Sequence, residues 1–184
     1  MQGSVVTRSV RVAAEPYQDP ERQRVVFGRR LASAVVPLLL VVRNEGDQPL
    51  RLRRGDLSLR TDDETVAAEG WGEARATLLD LGRDIVDSVG FASDARYHQL
   101  SFRLSDLFGL GRRQPADFGA WDLPTRAGIE PGQTVRGFVY FVRAAPPTNQ
   151  EEGFVLLVPL GSDDAASGTE TLEVPLRSRL PLPE

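Results

Sequence analysis

The feature that most constrains the fold is a pair of strand-like stretches, residues 35–60 and 128–142, each marked by a turn signal. In the first, Asn44–Asp47 predicts a turn, because Gly46 can adopt the positive φ of a bulged hairpin. From that turn to position 60, leucines alternate with charged and polar residues, which is the period of a strand with one buried face. The second contains Pro131–Gly132, a pair typical of a tight turn. Together these stretches predict antiparallel sheets.

Further strands are predicted on both sides of these stretches. Residues 4–12, 154–160 and 171–177 are β-branched or alternate in hydropathy. Residues 31–42 are apolar on both faces, which predicts a strand that either is buried on both sides or crosses between the sheets. Pro37 within it predicts a bulge or a sheet-edge position, since proline cannot donate a ladder hydrogen bond. With residues 13–24 as an exposed loop, the pattern predicts an all-β antiparallel sandwich of seven or eight strands in a single domain, residues 1–184.

The hydrophobic period changes after Trp71. Residues 73–90 carry apolar side chains at helical spacing, with charged residues gathered on the opposite side. Residues 97–104 predict a short strand and residues 105–111 a short helix with Ser105 as its N-cap. We therefore expect a partly helical insertion at about residues 72–124, between the two β-rich halves.

Composition excludes several classes of function. The 22 basic residues, all arginines, stand against 26 acidic residues and give a net charge of −4. That balance argues against nucleic-acid binding, which is driven largely by phosphate neutralisation. The absence of cysteine excludes disulfides and thiolate zinc sites. The apolar run at residues 34–42 is shorter than the roughly 20 residues of a membrane-spanning helix.

Few residues offer catalytic or metal chemistry, and we expect neither an enzyme nor a cofactor. His98 is the only histidine, and no Gly-x-Ser-x-Gly motif accompanies it. Calcium takes oxygen ligands from acidic turns, and the chain has two such turns, at residues 62–64 and 163–164. Neither has the order of an EF-hand. A calcium-dependent glycan-binding domain, or a hydrolase using His98, is the alternative function.

Two surfaces are candidates for contact with a partner. The insertion carries apolar residues beyond those of one narrow stripe, and tryptophans lie near its two ends; the candidate residues are Leu107, Phe108, Leu110, Trp71 and Trp121. They either cap the sandwich or present a patch to a protein partner or a second copy of the chain. On the strands, Arg51, Arg53 and Arg60 share the outward face, which either is simply solvated or receives an anionic partner.

The turn and strand motifs also resemble those of a known class of domain. The order of Asn44–Gly46, Pro49–Leu52 and Asp56–Leu59, followed by Pro131–Gly132 with Gly137 and Phe141, is similar to immunoglobulin-like domains of uncharacterised bacterial secreted proteins and lipoproteins. It covers about 70 of the 184 residues and concerns turn chemistry, which specifies fold better than activity.

The resemblance implies a non-catalytic, extracytoplasmic module, either periplasmic, on the cell surface or secreted. The first residues lack the charged start and hydrophobic stretch of a signal peptide. Either Met1 stands in place of a leader, or the protein is cytoplasmic.

Overall fold

The computed structural model describes residues 3–7, 9–28, 31–32, 34–62, 64–77, 121–143, 153–162 and 170–177. Within them the chain is mostly β, and two antiparallel sheets form a sandwich-like arrangement, which confirms the predicted all-β class. The strands are β1 (Gly3–Val6), β2 (Val10–Pro16), β3 (Val35–Asn44), β4 (Leu50–Arg53), β5 (Ser58–Arg60), β6 (Thr65–Ala67), β7 (Arg126–Ile129), β8 (Thr134–Val142), β9 (Gly153–Ser162) and β10 (Glu170–Arg177). The helices are α1 (Pro20–Phe27) and one whose described part covers residues 71–77. Neither, as far as it is described, is long and apolar enough to cross a membrane.

The two sheets differ in how they are built. The first has the order β1-β2-β3-β8, with β3 as its long central strand. The second is centred on β9, which pairs with β10 along one edge and with β4 and then β5 along the other. The outer strands are β7 on β4 and β6 on β5. A short 3-10 turn, η1 (Arg54–Asp56), separates β4 from β5.

Apolar side chains form two cores, one on each face of the first sheet. The core between the sheets has Leu38, Leu40, Leu52, Phe141 and Phe154 among its largest members. The second core lies on the outer face of the first sheet, under α1 and the helix at 71–77, and is rich in aromatic rings. Because β3 lies between them, both of its faces are largely buried, as its apolar sequence predicted.

The predicted loop at residues 13–24 is wrong, since β2 continues to Pro16 and α1 begins at Pro20. The helix starts there because Asp19 Oδ1 accepts hydrogen bonds from the N–H groups of Glu21 (2.8 Å) and Arg22 (3.3 Å). Proline suits the first helical position, since it has no N–H to leave unpaired. Gly28 ends the helix with a φ of 66°.

The prediction for Pro37 is also wrong, because Pro37 lies in a central strand and keeps an unbroken register with β8. Its carbonyl accepts from Tyr17 N at 2.8 Å, so its nitrogen faces Tyr17, one position beyond the last pair of the β2–β3 ladder. The Tyr17 carbonyl, which would receive the missing N–H, accepts from Gln23 Nε2 at 2.7 Å instead. The Gln23 side chain of α1 thus supplies the hydrogen bond that proline cannot donate.

The predicted turns form, but one of them by a different device. Gly132 has a φ of 79°, as expected of a Pro-Gly turn, whereas Gly46 does not take a positive φ. The buried side chain of Asn44 holds that turn, accepting from Gly46 N and donating to the carbonyls of Gln48 and Ile129. The described residues contain ten strands rather than seven or eight, because residues 4–12 divide into two and because β6 and β7 are too short and polar to predict.

Candidate functional site

Both ends of the predicted insertion attach to the outer edge of β8. Before the insertion, Glu69 N donates to Tyr140 O at 2.8 Å and Tyr140 N donates to Glu69 O at 3.0 Å. At its other end, Leu123 N donates to Phe138 O at 2.8 Å. Gly137 permits this approach, since a Cβ there would lie 2.5 Å from Leu123 N. The sandwich therefore fixes the positions of both ends.

The helix at 71–77 starts at this attachment and is capped by two carboxylates. Ala74 N donates to Gly70 O at 2.9 Å, which marks the first helical turn. Glu73 Oε2 accepts from Gly70 N at 2.8 Å, and Asp122 Oδ2 accepts from Trp71 N at 2.9 Å. Negative charge at a helix N-terminus is favourable, because the first N–H groups have no partner within the helix.

Arg54, on η1, connects these elements to the second sheet. Its buried guanidinium donates from Nη1 to Leu123 O and from Nη2 to Glu73 Oε2, both at 3.0 Å. Asp122 Oδ2 lies 3.9 Å from Nη1. A Cβ at Gly70 would lie 2.7 Å from Arg54 Cζ, so the guanidinium packs directly on the backbone there. One side chain thus contacts both ends of the insertion.

We call Arg54, Glu69, Glu73, Asp122 and Tyr140 the root cluster. Its three carboxylates outnumber its one guanidinium, and they titrate differently. Burial raises the pKa of Asp122 and of Glu69, although Trp71 N and Thr77 Oγ1 donate to them. The hydrogen bond from Gly70 N, reinforced by Arg54, lowers the pKa of Glu73. Burial, and then the charge of Asp122, raises the pKa of Tyr140.

Three buried polar atoms of the root cluster have no hydrogen-bond partner in the described part of the chain: Glu69 Oε2, Asp122 Oδ1 and the Tyr140 hydroxyl. The ring of Tyr140 is fully buried in the aromatic core. Unpaired polar atoms in such a setting are costly. In the root cluster, each of the Glu69 and Asp122 carboxylates therefore accepts a hydrogen bond through one oxygen and leaves the other oxygen buried and unpaired.

The two predicted tryptophans differ in how deeply they are buried. Trp71 is half-buried, and its ring centroid lies 5.4 Å from that of Tyr140, so it wedges the helix onto the first sheet. Trp121 is 53% exposed. The hydrogen bond from Trp71 N to Asp122 brings both to the root. The other predicted contact residues, Leu107, Phe108 and Leu110, lie outside the described residues, as do the predicted strand 97–104 and the short helix 105–111.

The three arginines of the predicted contact face lie on β4 and β5 of the second sheet. Arg51, Arg53 and Arg60 are all exposed. Arg60, however, donates to Glu173 at 3.0 Å and is already paired. Arg53 lies directly opposite Arg126 across β4 and β7, and neither has an ion-pair partner among the described residues. The uncompensated charge is therefore centred on Arg53 and Arg126.

One residue of the acidic turn at residues 62–64 already pairs with a buried arginine. Arg143 Nε donates to Glu64 Oε1 at 2.7 Å, and Arg143 is buried. No group of three or more acidic or histidine side chains in the described ranges could hold a metal ion. His98, Asp63 and the turn at 163–164 lie outside those ranges.

None of the five residues of the root cluster was predicted from the sequence, although the adjacent tryptophans were. Two local signals were present. Arg54 has the same inward parity as Leu50 and Leu52, which marks a charge at a core position. Gly70 and Glu73 have the spacing of a helix capping pair. Neither signal indicates that Asp122 lies nearby.

No family model and no curated protein matches the chain. Among solved structures, it is similar to a candidate lipoprotein from Bacillus subtilis, with 10% identity and a TM-score of 0.48, over 97% of this chain and 39% of that one. It is also similar to a DUF4426 family protein from Pseudomonas aeruginosa, with 9% identity and a TM-score of 0.37, over 96% of this chain and 93% of that one. The chain thus spans well under half of the first neighbour's length. Both similarities are too low to assign a function.

Proposed function

We propose that this chain is a non-enzymatic binding or assembly module of the bacterial envelope, which contacts a protein partner or a second copy of itself through the insertion. The sandwich acts as the scaffold, and the insertion provides the contact surface. Binding residues commonly lie on segments that a rigid scaffold positions. The envelope location rests on the resemblance of the turn motifs to those of secreted bacterial domains.

The observation that carries the proposal is the exposed indole of Trp121 beside a fixed root. Trp121 directly precedes Asp122, which is held by Trp71 N and lies 3.9 Å from Arg54. An aromatic side chain whose backbone is already fixed loses little conformational entropy on binding, and tryptophan is a common interface anchor. Trp71 is packed against Tyr140 instead, so Trp121 is the anchor we propose.

We further propose that the sandwich is immunoglobulin-like. The strand pairing supports this: β9 lies between β4 and β10, and β3 lies between β2 and β8. These neighbours correspond to the C-F-G and A-B-E strands of that fold. Such a sandwich can carry long insertions between strands without losing its core.

Site-specific photocrosslinking in the cells that produce the protein tests the binding proposal. A photoreactive benzoylphenylalanine replaces Trp121, and a matched chain carries it at Val6. Val6 is similarly exposed (59%) but lies on β1, at the opposite edge of the first sheet from β8. We expect a discrete crosslinked species from position 121, either to another protein or to a second copy, and none from position 6. Equal crosslinking at both positions, or none at 121, contradicts the proposal.

Two further variants separate the proposed function from its alternative. Leu107→Ser with Phe108→Ser should weaken the crosslink at position 121, because these residues supply the predicted apolar patch of the insertion. His98→Ala and a calcium chelator should leave it unchanged. If either of the latter abolishes the crosslink, the calcium-dependent glycan binder or the hydrolase gains support.

The arginine face is a second candidate contact surface. Like charges directly opposite each other destabilise an antiparallel pair, and Arg53 faces Arg126 in this way. A ligand with anionic groups would relieve that repulsion. Gly128, opposite Arg51, leaves open space where a side chain would otherwise lie.

A further inference from the structure

The second sheet ends at β7, which pairs with β4 on one side and with no other strand in the described ranges. Arg54 N donates to Thr125 O at 3.0 Å, which continues the register of the β4–β7 ladder by one pair. Along an antiparallel ladder, pairs that exchange hydrogen bonds alternate with pairs that do not. Ala127 therefore bonds to β4, whereas the N–H and C=O groups of Arg126 and Gly128 point to the free side of β7.

The free side of β7 is exposed over a short stretch. Arg126 and Gly128 are both exposed, and no backbone partner for their outward groups lies among the described residues. The stretch ends at Glu130, whose N–H donates to Gln133 Oε1 at 3.0 Å and whose carbonyl accepts from Gln133 N at 2.9 Å. Two donors and two acceptors thus alternate along this edge, as the pairing of a further strand requires.

Arginines line this edge. Arg126 lies directly opposite Arg53, and neither has an ion-pair partner in the described part of the chain. Like charges in such a pair destabilise a sheet. Next along the strand, Gly128 lies opposite Arg51, and a Cβ at Gly128 would meet nothing within 4 Å. The outward side of β7 therefore combines uncompensated positive charge with space for a neighbouring side chain.

We propose that the free edge of β7 binds an extended acidic segment of a partner protein, which joins the second sheet as an added strand. In this mode of recognition, backbone hydrogen bonds supply affinity and alternate side chains supply selectivity. An acidic residue opposite Arg126 forms a favourable cross-strand pair, and a second one opposite Gly128 extends over the open space toward Arg51. The residue between them lies on the same side as Ala127, which packs against the core between the sheets. The pattern of the segment is thus acidic, apolar, acidic.

A second copy of the chain fits this edge poorly. If all the free backbone groups of β7 pair with those of another β7, Arg126 of each copy lies opposite Gly128 of the other, and the arginines of both copies share one face. If Arg126 instead lies opposite Glu130, opposite charges meet, but the backbone of Glu130 is already bonded to Gln133. Neither register satisfies both the backbone and the charges, whereas an acidic segment satisfies both.

This proposal assigns a partner to the arginine face, and it rests on the proposed function only in that both describe a binding module. The β7 edge belongs to the second sheet, whereas the exposed indole of Trp121 lies at the root on the first sheet. The two fail separately. An absent crosslink at position 121 leaves binding at β7 intact, and an edge that binds nothing leaves the crosslink intact.

Nuclear magnetic resonance of the isotope-labelled full chain tests strand addition with a synthetic peptide. The peptide has two glutamates separated by one valine and flanked by valines and threonines. We expect the amides of Arg126 and Gly128 to shift and to gain protection from hydrogen exchange, while the amide of Ala127 keeps its protection because it already bonds to β4. Protection of Arg126 and Gly128 before any peptide is added, or no response at these two amides, overturns the proposal.

A second peptide separates strand addition from charge attraction alone. It carries N-methyl groups on the two glutamates, which removes the N–H donors that face β7 and keeps both negative charges. It should bind more weakly by on the order of tenfold, because two hydrogen bonds are lost. Equal affinity of the two peptides contradicts an added strand.

Charge reversal on the chain tests the role of Arg126. Arg126→Glu should weaken binding of the glutamate peptide by about fivefold and should favour a peptide with lysines in place of the glutamates. The variant should fold, since it places an acid opposite Arg53. Arg136→Glu, which changes an exposed arginine of β8 in the first sheet, alters the net charge equally and should keep the preference for glutamate. Equal effects of the two variants contradict a specific pairing at β7.

Light scattering over a range of concentrations decides between an acidic segment and a second copy. We expect Arg126→Glu to leave the molar mass of the chain in solution unchanged. A dimer that Arg126→Glu dissociates, and that the double variant Arg126→Glu with Glu130→Arg restores, would assign the edge to a second copy and overturn the proposal.

Discussion

Replacing Arg54 with methionine should destabilise the protein far more than any exposed arginine replacement. Methionine keeps most of the aliphatic volume and removes the guanidinium. The change deletes the hydrogen bonds to Leu123 O and Glu73 Oε2. It also leaves Asp122 without its nearest positive charge in a setting where it is only 12% exposed.

The magnitude follows from what each lost contact is worth. The Leu123 carbonyl loses a charged donor, which costs about 1–3 kcal/mol when an acceptor is left buried and unpaired. The link to Glu73 adds only about 0.5 kcal/mol, since the side chain of Glu73 is 62% exposed and water replaces the partner. The uncompensated Asp122 adds about 1 kcal/mol, because burial already disfavours its charge. The expected loss in the free energy of unfolding is therefore about 3 kcal/mol.

Urea unfolding followed by tryptophan fluorescence measures this loss. A decrease of about 3 kcal/mol lowers the midpoint by about 1–2 M for a domain of this size. The matched control is Arg60→Met, which breaks an ion pair whose side chains are 44% and 58% exposed, and which should cost less than about 1 kcal/mol. If Arg54→Met costs no more than Arg60→Met, the guanidinium does not hold the root and the description of the cluster is refuted.

Two further predictions concern residues on the sheets. Gly137→Ala should destabilise the protein by about 1–3 kcal/mol, because the added Cβ meets the backbone of Leu123. Thermal unfolding measures this loss, and the control Gly128→Ala, which has open space around it, should not lower the thermal midpoint. Equal shifts of the midpoint in the two variants would contradict the close approach of Leu123 to β8. On a heparin column, the double variant Arg53→Gln with Arg126→Gln should elute at a lower salt concentration than the unchanged chain. Its binding to heparin should release about 2 fewer counterions, which lowers the dependence of the affinity on salt concentration. The same charge change at Arg11 and Arg43, which share Glu45 on the first sheet, should have a smaller effect, and an equal effect would mean that net charge alone controls binding.

The sandwich was predictable because strand periodicity is a local signal. Leu52 and Leu59 are buried and the neighbouring Arg51, Arg53 and Arg60 are exposed, as a period of two within each strand requires. The helix α1 was missed because its apolar positions are few, although Asp19 and Gly28 carried the cap signals at its two ends. For Pro37, the sequence showed the missing donor but not the Gln23 side chain that occupies the orphaned carbonyl.

The root cluster could not be derived from spacing, because its members come together only through the fold. Arg54 reaches Glu73 across 19 positions and Leu123 across 69. No alternation or helical period relates residues at such separations. The inward parity of Arg54 was visible, but a buried arginine indicates only that some partner exists, not which one it is.

The two roles of the root are linked by the physical demands of a sheet edge. β8 is the outer strand of the first sheet, and an uncovered outer strand presents unpaired backbone groups that favour aggregation. Glu69 and Leu123 satisfy those groups at Tyr140 and Phe138, so the hydrogen bonds that protect the edge are the same ones that anchor the insertion. Opening the root would therefore both release the contact surface and expose the edge.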